Sequence, residues 1–134
     1  MDMETIALQT PSRCALIEIT GQVGERVQTS GVKRGICLVY VPHTTAAGTI
    51  NENADPAVKR DILMKLDRMV PLDDGYRHSE GNSAAHIKAS LFGYSVLIPI
   101  EGGKLALGTW QGIFFCEFDG PRRRTVHCTV LRVV

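Results

Sequence analysis

Residues 94–134 read YSVLIPIEGGKLALGTWQGIFFCEFDGPRRRTVHCTVLRVV, and this stretch decides the fold class. It divides into four runs, 94–100, 103–108, 111–118 and 124–134, most of them rich in β-branched or aromatic residues and bounded by Gly, Pro or charge. Glu101-Gly102-Gly103 gives a tight turn between the first two. Upstream, 4–10 (ETIALQT) and 13–19 (RCALIEI) read as strands separated by Pro11 and Ser12. The run 35–41 (GICLVYV) is almost continuously apolar and short, which predicts a strand covered on both faces. Helix signals lie between these strands. Val23 and Val27 stand four apart before Gly31, predicting a short helix. Asp55 and Pro56 have the residue types of a cap and a first helical position. Val58, Ile62, Leu66 and Met69 then mark an apolar helix face that Pro71 ends. A further helix is expected over 82–91, closing at Gly93. The order predicts one α+β domain over 1–134: a sandwich of mostly antiparallel strands with two or three helices.

The 134 residues fit one domain, and 44% hydrophobic with 22% charged residues is an ordinary globular balance. A formal net charge of +1 supplies no field to gather nucleic acid or an anionic membrane, so neither is expected as a partner. No apolar stretch approaches membrane-spanning length, and MDMETIALQT lacks a basic segment followed by an apolar one. The chain therefore reads as cytoplasmic. Cys14, Cys37, Cys116 and Cys128 lie in apolar segments with no CxxC spacing, which favours buried reduced thiols over a zinc site.

Three polar clusters carry the candidate chemistry. His43, Thr44 and Thr45 follow directly on the strand 35–41, a rigid position for a ligand site, and Asn51, Glu52, Asn53 and Asp55 come soon after. Asn and Asp at such positions serve as caps and turn formers as readily as ligand groups. The segment RHSEGNSAAH opens a helix with small residues, leaving backbone N–H groups for a phosphate or carboxylate, and it sets Asn82 and His86 on one helical face. His43, His78 and His86 could together hold a transition metal such as zinc, or act as acids, bases and donors without one. His127 lies on an alternating strand beside Thr125 and Thr129 and reads mainly as structural. The third cluster is Trp110-Gln111, then Glu117, then Arg122, Arg123 and Arg124 after a turn. The arginines suit a phosphate, although consecutive side chains cannot all point one way. Glu117 interrupts an apolar strand and needs a partner if buried.

PHTTAAGTINENADP and HSEGNSAAHIKASLFGYSVLIPIEGGKLALGTWQGIFFCEFDGPRRR, in this order and separation, resemble the YjbQ-like family, also called the secondary thiamine-phosphate synthase family. The likeness runs from about residue 4 to the end. It implies a compact α+β fold and a homotrimer. It also implies an activity of some members, joining a pyrimidine-methyl diphosphate to a thiazole phosphate to give thiamine phosphate. On matching positions it makes His43, Thr44, Asn53, Asp55, His78, Asn82, His86, Trp110 and Gln111 pocket residues. Ala47-Gly48 departs from the family pattern, where a larger apolar residue commonly follows the alanine. For such a reaction Arg122, Arg124 and the amides near Asn82 are candidates to neutralise diphosphate, a histidine to move a proton, and Asp55 with Glu80 to hold Mg²⁺. Two other readings stay open: a histidine-based metal-dependent enzyme such as a hydrolase, and a non-catalytic binder of a small ligand.

Overall fold

The computed structural model describes residues 3–134. Strands β1 (Met3–Gln9) and β2 (Ala15–Glu18) precede helix α1 (Thr20–Ser30). Strands β3 (Gly35–Tyr40) and β4 (Ala46–Glu52) lead to helices α2 (Pro56–Met69) and α3 (Ser83–Phe92). Strands β5 (Ser95–Glu101), β6 (Lys104–Leu105), β7 (Gln111–Glu117) and β8 (Arg123–Arg132) complete the chain. They form a five-stranded sheet in the order β1-β8-β3-β5-β6 and a three-stranded sheet in the order β2-β7-β4, with antiparallel pairing throughout. The α+β sandwich expected from the sequence is the fold found.

Local signals act as their chemistry requires. Asp55 accepts the Ala57 amide at 2.9 Å, and Pro56 takes the first helical position, where its missing N–H costs nothing. Gly31 ends α1 at φ +72°, and Gly93 ends α3 at φ +88°, both in the region that a Cβ disfavours. Between the sheets, Ile6, Cys37, Val39, Ile98 and Val126 meet Phe115 and Ile113, with Val23 and Val27 of α1 closing the same core. On the other side of the small sheet, Phe114, Cys116 and Leu16 pack against Leu66 of α2 and Ala85 and Ala89 of α3. The four thiols are free; Cys37, Cys116 and Cys128 are buried and Cys14 is half-buried.

Three expectations need correction. First, β3 is covered on one face only: Cys37 and Val39 are buried, whereas Ile36 and Tyr40 are 39% and 41% exposed. The strand sandwiched on both faces is β7, buried at every position from Gly112 to Glu117. A continuous apolar run reports that both faces are apolar, not that both are covered. Second, the run 103–108 yields only two strand residues, because the Gln111 side chain accepts the Gly108 amide at 2.8 Å and turns the chain away. Third, α2 docks through less of its apolar face than expected: Leu66 is buried, but Met69 is 62% exposed.

Candidate functional site

A cavity of ≈ 670 Å³ lies where β3 and β7 end and β4, α3 and β8 begin. Tyr40, Val41 and Pro42 leave β3 along its wall, His43 to Thr45 cross it, Glu80, Asn82 and His86 come from the α3 end, and Asp119, Arg122 and Arg124 from the β7–β8 turn.

Beneath this cavity lies a buried ion pair. Glu117 is fully buried, and Arg124 is 3% exposed. Arg124 Nε donates to Glu117 Oε1 at 2.9 Å, and Nη2 reaches both Glu117 Oε2 and the Thr45 hydroxyl, the latter at 2.8 Å. The Thr10 hydroxyl donates to Glu117 Oε1 at 2.7 Å, and the Asp119 amide donates to Oε2 at 3.0 Å. Burial alone would raise the Glu117 pKa. The hydrogen bonds from Arg124, Thr10 and the Asp119 amide outweigh it and hold the carboxyl below its ordinary value. The partner that the sequence demanded for Glu117 is therefore Arg124. As a correction, Arg124 does not offer its guanidinium freely to a phosphate; its bidentate face is occupied.

The turn between these strands is close-built. A Cβ on Gly120 would stand 2.4 Å from the Ser12 carbonyl oxygen, so only glycine fits, and the Gly120–Pro121 bond is cis. This turn presents Asp119, whose Oδ2 accepts Asn82 Nδ2 at 2.9 Å and Arg122 Nη2 at 3.1 Å. Arg122 Nε also donates to the Asp119 carbonyl at 2.8 Å, and the half-exposed side chain keeps its Nη1 edge for another acceptor. Asn82 is the N-cap residue of α3 without capping through its side chain, and its Oδ1 is buried with no partner among the described residues.

His43 occupies the point where β3 leaves β8. The pairing ends at Tyr40↔His127, so the backbone of Thr125 on that side faces no strand. His43 Nε2 lies 3.1 Å from both the nitrogen and the oxygen of Thr125. One nitrogen cannot accept and donate at once, so the tautomer decides which contact forms, and the other ring nitrogen takes the complementary role. Burial first, and the charge of Arg124 second, lower the His43 pKa; the Thr125 contact and Glu117 only partly oppose them. Both effects favour the uncharged ring, the form in which one nitrogen accepts and the other donates.

The other expected residues divide. Thr44 and His86 line the cavity. His78 does not; it shares a neighbouring cavity of ≈ 450 Å³ with Tyr76 and His86, its ring 5.5 Å from that of His86 and edge-on to it. His43 is committed to Thr125, and among the described residues no three His, Cys, Asp or Glu side chains converge at metal-binding spacing. The triad His43, His78 and His86 is thus not assembled within one chain.

Asn53, Asp55, Trp110 and Gln111 lie at the opposite end of the small sheet. Ala46 pairs with Glu117 at the cavity end, and Glu52 pairs with Gln111 at the far end, roughly 20 Å away along the strand. There Asn53 donates to Glu18 Oε2 at 3.0 Å, Asp55 caps α2, Gln111 forms its turn, and Trp110 is 63% exposed. Asp55 and Glu80 consequently cannot share one Mg²⁺ within the chain. Gly48, the departure from the family pattern, does not line the cavity, and a Cβ added there would meet a Val41 methyl at an ordinary 3.5 Å. His127 faces outward, stacked on Tyr40. Thr10, Tyr40 and Tyr94 escaped the sequence reading; the outward alternation of Tyr40 on β3 was the available signal for one of them.

A family model described as UPF0047 protein YjbQ-like matches residues 4–133. The chain belongs to the YjbQ-like family. The UPF0047 protein YugU of Bacillus subtilis is 48% identical over 130 residues, covering 96% of this chain and 98% of that protein. A UPF0047 protein of Methanocaldococcus jannaschii is 52% identical over 124 residues, with 92% and 90% covered. A solved YjbQ/UPF0047 structure from Clostridium acetobutylicum superposes with a TM-score of 0.94 at 55% identity, covering 96% of this chain and 99% of that one. A protein of Sulfolobus solfataricus, described as YbjQ-like and of unknown function, superposes equally at 0.94 with 36% identity, covering 98% and 97%. None of these descriptions assigns a reaction. Among the described residues, no helix is long and apolar enough to cross a membrane.

Proposed function

We propose that this chain is an enzyme that binds a small phosphate-bearing metabolite in the ≈ 670 Å³ cavity and moves a proton with His43. The observation that carries the reading is the position of His43: an imidazole set against the Thr125 backbone, on the wall of a cavity that also holds Arg122 and the start of α3. The open edge of Arg122 and the first-turn amides of α3 receive the phosphate. The Glu117–Arg124 pair carries no net charge toward the ligand and instead fixes Thr45 and the β7–β8 turn. His86 stands opposite as a second donor or acceptor. The family resemblance supplies a specific substrate pair, a pyrimidine-methyl diphosphate with a thiazole phosphate, and a homotrimeric assembly.

The test is a direct assay of that pair, with and without Mg²⁺, using wild type and His43→Gln. Turnover that falls about 10²-fold or more in the variant supports the proton role. Turnover unchanged by His43→Gln overturns it. Phosphate esters that bind without any turnover would leave the binding half standing and reassign the cavity to a non-catalytic binder.

A further inference from the structure

A separate cavity, of ≈ 240 Å³, lies between α1 and the β5–β6 hairpin. It sits at the Gly35 end of β3, whereas the cavity holding His43 sits at the Tyr40 end, roughly 17 Å away along the strand. Its base is apolar and its rim is cationic. Gly24 of α1 and the half-buried Leu105 of β6, which packs on the main core, form the base. The exposed side chains of Gln28, Lys33 and Lys104 surround it.

Two features of this lining are not explained by the fold. The first is Gly24. It stands inside an eleven-residue helix, where glycine is less favourable than alanine because it has more backbone freedom to lose. Alanine would fit, since a Cβ there would meet only Leu105 Cδ1, at an ordinary 3.9 Å. What the missing side chain leaves is open space against Leu105. The second is the pair of lysines. Lys33 follows the C-terminus of α1, where a cation suits the helix dipole, but Lys104 comes from β6 and has no such reason to be there. Among the described residues neither ammonium pairs with a carboxylate, although Glu101 is the register partner of Lys104 across the hairpin. Lys33 is held in place: its carbonyl accepts the Gly103 amide at 3.0 Å, and a Cβ on Gly103 would stand 3.3 Å from Nζ. The side chain thus lies across the turn, with its ammonium against the residue that precedes Lys104.

We infer that this cavity binds a short-chain phosphate monoester, with the phosphate between Lys33 and Lys104 and the carbon chain on Gly24 and Leu105. Charge sets the head group. A phosphate monoester carries about −1.5 to −2 at pH 7 and answers two ammonium groups, where a carboxylate answers one. Gln28 adds a neutral amide donor. Volume sets the tail: the space is smaller than the ~300–1,000 Å³ of sites for drug-sized ligands, so a chain of a few carbons fills it. Among the described residues no histidine, cysteine or carboxylate lines the cavity, so it holds a ligand rather than converting one.

Amide NMR at pH 7 with n-butyl phosphate, inorganic phosphate and pentanoate as probes tests this on wild type, Lys33→Met/Lys104→Met and Gly24→Leu. The double variant removes the charges and keeps the space. Gly24→Leu keeps the charges and fills the space with a residue that favours the helix. Circular dichroism verifies that both fold. The expected result is saturable shifts at the Gly102 and Gly103 amides of wild type, with the Kd for n-butyl phosphate at least tenfold weaker in each variant. n-Butyl phosphate should also bind about tenfold tighter than inorganic phosphate, since each buried methylene is worth roughly fourfold. Shifts that never saturate, or a Kd unchanged in folded Gly24→Leu, would reduce the lysines to surface charges and overturn the inference. Pentanoate bound as tightly as n-butyl phosphate overturns the choice of head group, and inorganic phosphate bound as tightly overturns the choice of an ester. The His43 and Ser83 amides report the other cavity in the same spectra, so success or failure there is read separately.

Discussion

The two ends of the β4–β7 ladder look alike in sequence and differ in structure. At the Ala46↔Glu117 end, Glu117, Arg124, Thr10 and Thr45 satisfy one another beneath a cavity, and burial and the Arg124 charge lower the pKa of His43 beside them. At the Glu52↔Gln111 end, Asn53, Asp55 and Gln111 spend their polar groups on caps and turns, in the open. Polar side chains thus build a candidate site at one end and a scaffold at the other. Burial makes the difference: only a desolvated group needs a specific partner, and only there do charges shift a neighbour's pKa appreciably.

The largest effect should come from the cavity end. Glu117→Ala strands the buried Arg124 charge, and the expected loss is about 3–5 kcal/mol, read by urea unfolding. A loss below about 1 kcal/mol would mean that water reaches the guanidinium and the pair is not closed. Asp67→Ala removes the partner 2.7 Å from Lys88 Nζ, a lysine only 1% exposed, and should cost about 2 kcal/mol by the same measurement. Asp55→Ala removes a cap from the far end and should cost about 1 kcal/mol while leaving ligand binding in the cavity unchanged. Trp110→Ala, at a largely exposed side chain, should stay within about 0.5 kcal/mol. A loss of ligand binding in either far-end variant would erase the contrast, or show that this end completes the cavity of another copy.

Acid sharpens the same contrast. The folded Glu117 pKa lies below its ordinary value of 4.5, so the unfolded chain takes up this proton first as pH falls. Its contribution to stability is present above about 4.5 and is lost as pH drops from there through the lowered folded value. His43, lowered from 6.5, acts in the same direction from a higher starting pH, because the unfolded state again binds the proton more readily. Stability should therefore fall on acidification from about pH 6.5, more steeply below 4.5. Glu117→Gln should flatten the lower part of that profile, and an unchanged slope in guanidinium melts would exclude Glu117 as its source.

Much of the fold was legible because its signals are local. Asp55-Pro56, the Val23/Val27 spacing, Gly93 and the alternation in β8 each specify their element without distant help. What lay outside local reach was coverage. GICLVYV is the more continuously apolar run and GIFFCEF carries Glu117, yet β7 is enclosed and β3 carries an open face, a property of sheet order rather than of either run. The site was half-legible for the same reason. His43, Thr44, Asn82, His86 and Arg122 converge because a strand end, a helix start and a turn meet there. Asn53, Asp55, Trp110 and Gln111 were grouped with them by resemblance, and the antiparallel register sends them to the other end. Arg124 was expected to meet a phosphate, but its partner Glu117 lies seven residues away on the preceding strand, and only the β7–β8 turn brings the two face to face.

The most direct test of the central contrast is a titration of the wild-type protein with inorganic pyrophosphate, followed by two-dimensional amide NMR at pH 7. The expected result is saturable shifts at His43, Ser83, Ala84 and Arg122, with the amides of Asn53 and Gln111 and the Trp110 indole unmoved. Shifts centred on Asn53, Trp110 and Gln111, or none at the cavity end, would contradict the assignment of the site to that end.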